Sequence, residues 1–107
     1  MTTATAKWLA RRLMVAHGLG GWKLKLVYSK SRKGECVDDE QLLRLSSAWI
    51  KVDDDEEVFR TILHEIAHGV RTYDKDAAVD DLEPHSKQWW KAYRKLCYIY
   101  GIKPECG

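Results

Sequence analysis

The chain has 107 residues, enough for one domain and too few for a comfortable second. Its 45% hydrophobic and 32% charged residues are those of an ordinary globular protein, and a net charge of +2 is too small to argue by itself for nucleic acid or an anionic membrane. Three cysteines without a C-x-x-C pair (Cys36, Cys97, Cys106) argue against a disulfide framework and a cysteine zinc ribbon, so free thiols in a reducing, cytoplasmic setting are expected, with no leader and no membrane span.

Thr2 to His17 reads as an amphipathic helix with Trp8, Leu9, Leu13 and Ala16 toward one side and Lys7 and Arg11 off it. Gly18, Gly20 and Gly21 stop it. His17 sits in its last turn, where a cation suits the helix dipole, and reads as structural. Trp22 to Tyr28 alternates, so Trp22, Leu24, Leu26 and Tyr28 should form the buried side of a strand. Ser29 to Gly34 is a basic turn in which Arg32 and Lys33 read as solvated loop. Glu35–Val37 and Gln41–Ser46 read as two short antiparallel strands, and Ser47–Lys51 as a transition segment.

Asp53 to Glu57 precedes an apolar-periodic run. Acids there suit the free N–H groups of a first helical turn, and the spacing of a calcium loop is missing. The helix should run to about Val70, followed by a polar loop from Arg71 to Pro84. A last helix should run from His85 to Tyr100, closed by Gly101 and Pro104. The expected fold is α+β: an N-terminal helix, a three-stranded, mostly antiparallel sheet and two further helices.

Within the second long helix, His64-Glu65-Ile66-Ala67-His68 matches H-E-x-x-H. Residues four apart on a helix stack about 6 Å apart along its axis, so the two imidazoles can reach one cation. Glu65, turned about 100° from His64, would lie beside that cation, where it can take a proton from an activated water. Val58, Phe59, Ile62, Leu63, Ile66, Ala67 and Val70 occupy one half of the wheel, and the histidines fall in the other. A catalytic zinc takes three protein ligands. The remaining candidate is His85, which falls on the apolar side of the last helix with Trp89, Trp90, Tyr93, Leu96, Cys97 and Tyr100. Asp81 and Glu83 are weaker alternatives.

The stretches Thr61 to His68 and Pro84-His85-Ser86-Lys87-Gln88-Trp89 resemble the SprT-like zinc metallopeptidases, the minimal zincins that include the Spartan protease. Tyr28 to Ser46 is similar to that family's basic turn, glycine (here Gly34) and strand ending in Leu-Ser. The resemblance implies a Zn2+-dependent endopeptidase with His64, His68 and His85 as ligands and Glu65 as acid/base, acting on a protein or peptide substrate. Tyr73 and Arg71 are weak candidates for oxyanion stabilisers. Many relatives carry a C-terminal zinc ribbon, whereas here little follows the last helix, so DNA association cannot be carried over. Two other readings compete. One is a catalytically silent, zinc-stabilised binding or regulatory module. The other is a DNA-associated factor using Lys23, Lys25, Lys30, Arg32 and Lys33 as a basic strip.

Overall fold

The computed structural model describes residues 1–73 and 87–104, with side chains for 1–70 and 87–104. Helix α1 spans Thr3–Ala16, strands β1, β2 and β3 span Lys23–Val27, Gly34–Val37 and Leu42–Ser46, and helices α2, α3 and α4 span Ser47–Val52, Asp55–Tyr73 and Lys87–Tyr100. The architecture is α+β, four helices with a mixed three-stranded sheet. No helix among the described residues is long and apolar enough to cross a membrane.

The Thr2 hydroxyl caps α1 by accepting from the Thr5 N–H at 3.1 Å, and Gly18, at φ +82°, ends it. The buried stripe of α1 is Ala6, Ala10, Leu13 and Met14, not the stripe through Trp8 and Leu9 that the periodicity suggested. Small alanines let α1 approach its neighbours closely. Trp8 stays 59% exposed, under the Arg12 guanidinium at 4.9 Å.

The sheet order is β1-β3-β2, with β1 parallel and β2 antiparallel to β3. The sheet is therefore mixed, not mostly antiparallel. The physical reason lies in composition. Leu42, Leu43, Leu45 and Ser46 of β3 are all buried, so this strand takes the centre, while the lysine-bearing β1 takes an edge. Leu24 and Leu26 face inward as the alternation requires, but Tyr28 lies past the strand end and is exposed.

Ser47–Val52 is a short helix and not a mere transition. The Ser46 hydroxyl caps it by accepting from the Trp49 N–H at 3.4 Å. The same hydroxyl donates to the Ser29 carbonyl at 2.6 Å, and the Ser46 N–H donates to the Lys33 carbonyl at 2.9 Å. The Trp49 indole adds a bond to the Lys30 carbonyl at 3.2 Å. One buried serine thus fastens the 28–33 loop to the sheet.

The acidic run before α3 is structural, as its position suggested. Asp54 accepts from the Glu57 N–H at 2.8 Å, and Asp55 pairs with the chain's amino group at 2.6 Å. Helix α3 continues to Tyr73, beyond the expected end at Val70. Its two sides are both covered: α1 and the sheet lie on one, α4 on the other. The Trp89 indole N–H reaches the His64 carbonyl at 3.2 Å.

Ser46→Ala is expected to cost about 1–2 kcal/mol, the range for losing a cap and a buried hydrogen bond. It should also speed amide exchange in residues 29–33 ahead of the rest of the sheet. Denaturant melts with residue-resolved hydrogen exchange check both effects. Uniform exchange across the sheet would contradict the clasp.

Candidate active site

His64 and His68 lie one turn apart on α3, half-buried, with ring centres 5.1 Å apart. The polar-looking half of the helical wheel is not a solvent face, because α4 roofs it. The Trp89 ring stacks on His68 at 5.3 Å and 28° and meets His64 edge-on at 4.6 Å. Tyr93 stacks on the other side of Trp89 at 4.9 Å and 11°, and Tyr93 and His64 are 5.8 Å apart. Such ring contacts restrict both imidazoles far more than solvent would.

Glu65 is 6% exposed. Among the described residues its carboxyl has no hydrogen bond and no ion pair. Burial, with the nearby Glu35 charge adding to it and Arg32 opposing it, pushes its pKa up to about 8. The space beside it exists because residue 34 is glycine. A Cβ there would lie 2.9 Å from the Glu65 Cγ, 3.1 Å from its Oε2 and 3.2 Å from the Arg44 carbonyl. The first residue of edge strand β2 therefore packs against the Glu65 side chain of α3.

His64 and Glu65 open onto a cleft of about 380 Å³, walled also by Arg32, Lys33, Glu57, Arg60 and Tyr93. Most of these charges are internally paired. Lys33 bonds Asp53 at 3.1 Å and Glu57 at 3.5 Å and lies over the Trp49 ring, and its pKa is raised by these two acids against a desolvation penalty. Arg60, almost buried, holds Glu56, Glu57 and the Lys103 carbonyl. Arg32 and Lys33 thus belong to the cleft wall and are not merely solvated loop.

His85, Asp81 and Glu83 lie outside the described residues, as do the side chains of Arg71 and Tyr73. The latter two belong to α3 rather than to the expected loop. Among the described residues no group of three His, Cys, Asp or Glu side chains gathers to hold a metal. The two described imidazoles do suit one. Around a tetrahedral ion with metal–nitrogen bonds of about 2.1 Å, two imidazole centres fall about 5 Å apart. A buried carboxyl without a partner is likewise a group that a neighbouring cation would satisfy. His17 is elsewhere, its Nε2 2.6 Å from the Tyr100 hydroxyl. Burial and then Lys95 hold its pKa below the usual value, so its environment disfavours the cation that the helix dipole suggested. The basic strip is divided, since Lys23 and Lys25 lie exposed on β1 while Arg32 and Lys33 line the cleft.

Sequence reasoning missed Gly34, Arg32, Trp89 and Tyr93 as parts of this site. The available signals were that aromatics at 89 and 93 share a face of α4, and that Gly34 and Trp89 fall in the stretches that carry the family resemblance. Fold and site together define a small α+β domain with a helix-borne histidine pair and a buried glutamate at a cleft. No protein-family model, curated protein or solved structure matches the chain.

Two outcomes follow from the geometry. Gly34→Ala should destabilise the protein by about 1–3 kcal/mol through overpacking, and much of that should vanish in a Glu65→Ala background. A double-mutant melting cycle measures it, and strict additivity would refute the contact. Second, the Glu65 carboxyl is favoured neutral in the fold. Its contribution to stability is full below the unfolded value of 4.5 and is lost as pH rises toward about 8. In metal-free protein, Glu65→Gln should therefore raise the melting temperature little at pH 4.5 and most above pH 8. A gain that shrinks with rising pH would contradict the burial argument.

Proposed function

We propose that this chain is a zinc-dependent endopeptidase of the SprT-like, minimal-zincin kind. The observation that carries the proposal is the pairing of two edge-on imidazoles, 5.1 Å apart, with an adjacent buried carboxyl that has no hydrogen bond among the described residues and lines a cleft. His64, His68 and His85 would hold Zn2+. A bound zinc supplies Lewis acidity, bringing the pKa of water at the site to about 7 and polarising a carbonyl.

The chain's own residues would do the rest. With a cation beside it to favour its ionised form, the Glu65 carboxylate would take the proton from the attacking water and pass it to the leaving amine. Its low-dielectric surroundings keep that proton transfer from being lost to bulk solvent. The Trp89 platform keeps both imidazoles in one arrangement. The edge of β2, unpaired among the described residues and starting at the cleft with Gly34, suits an extended peptide laid alongside it. The half-buried thiol of Cys36 and the buried thiol of Cys97 suit a reducing cytoplasmic compartment.

A structural zinc module favours four protein ligands and does not need a glutamate at this position. The proteins to compare are wild type, Glu65→Gln and His85→Ala. Glu65→Gln should retain about one zinc per chain while casein hydrolysis falls at least ~100-fold, and His85→Ala should lose zinc. Zinc content measured by plasma emission, with hydrolysis followed in parallel, decides the matter. Near wild-type activity in Glu65→Gln would remove Glu65 from the chemistry.

A further inference from the structure

The cleft beside Glu65 has an uneven distribution of charge. Its three cations are Arg32, Lys33 and Arg60. Lys33 is bound to both Asp53 and Glu57 and covers Trp49. Arg60 is taken up by Glu56, Glu57 and the Lys103 carbonyl. Glu57, the cleft's other acid beside the buried Glu65, is thereby shared between two cations. Arg32 differs. Its side chain is 68% exposed, and its one ion pair, to Glu35, is long at 3.5 Å. Glu35 is also held by Arg44 at 3.3 Å. One carboxylate thus serves two guanidiniums at this end of the cleft, a local positive excess, while Asp53, Glu56 and Glu57 serve Lys33 and Arg60 at the other.

Position makes that excess relevant to a substrate. Arg32 stands two residues before Gly34, at the entry to edge strand β2, on the loop that Ser46 fastens to the sheet. A chain laid along β2 toward Glu65 would pass this guanidinium, which offers a planar, two-pronged donor matched to a carboxylate.

We infer that Arg32 is a specificity-determining residue that makes this cleft prefer peptides carrying Asp or Glu close to the scissile bond. The inference rests on the peptidase reading and names its substrate class. An exposed pair of this kind is weak, so the preference is a bias of a few-fold and not an absolute requirement.

The test uses the full-length zinc-loaded protein and a mixed peptide library, with cleavage products sequenced by mass spectrometry. Matched fluorogenic peptides bearing Glu or Lys at the enriched position follow. Wild type should favour the Glu peptide by about threefold to tenfold in kcat/KM, mostly through KM, and lose that margin between low and high salt. Arg32→Glu should reverse the order, and Arg32→Gln should abolish it, with zinc content unchanged in both. Cleavage indifferent to charge, or a preference that survives Arg32→Gln, overturns this inference alone. A zinc-loaded wild type that cleaves no peptide overturns the peptidase reading and this inference with it.

Discussion

The approach of strand β2 to helix α3 at Gly34 and Glu65 is the constraint from which the rest of the site follows. A side chain at position 34 would lie within 3.1 Å of the Glu65 carboxyl and expel it from its place. With glycine there, a carboxyl is held between sheet and helix, 6% exposed and with no hydrogen bond from the described residues. An isolated protein has little reason to keep so costly a group. It lies one residue from His64, whose ring meets that of His68 edge-on at 5.1 Å.

The opposite side of α3 is governed by Trp89. A helix with two histidines on its outer half would ordinarily leave them mobile in water. Here the indole contacts both rings and ties its N–H to the His64 backbone, while Tyr93 and Trp90 brace the indole in turn. The motif is thus clamped from two directions by elements distant in sequence, β2 and α4. That arrangement places groups accurately at little entropic cost on binding.

The elements were legible wherever local pattern and environment agreed. The acidic first turn of α3, the glycine stops after α1 and α4, and the inward Leu24 and Leu26 all follow from local chemistry. The errors have a common physical source, which is tertiary context. Trp8 reads as core by hydrophobicity, but close helix packing favoured Ala6 and Ala10. The sheet reads as mostly antiparallel, yet the all-buried β3 takes the centre and pairs parallel with β1. Ser47–Val52 carries no long periodicity, and its helix depends on the Ser46 cap. His64, Glu65 and His68 could be singled out because one helix sets their spacing. Gly34 stood out only through the family resemblance and Arg32 only as a basic turn residue, since their place at the site arises only when a turn 31 residues before Glu65 folds against it.

Whether zinc binds, and through which side chains, is the most direct question to put to this account. Crystals of zinc-loaded protein, with anomalous diffraction recorded at the zinc edge, would answer it. The account predicts one ion about 2.1 Å from an imidazole nitrogen of each of His64, His68 and His85, with the Glu65 carboxylate nearby but not ligating. An ion bound elsewhere on the chain, or one that takes Glu65 as a ligand in place of a histidine, would contradict it.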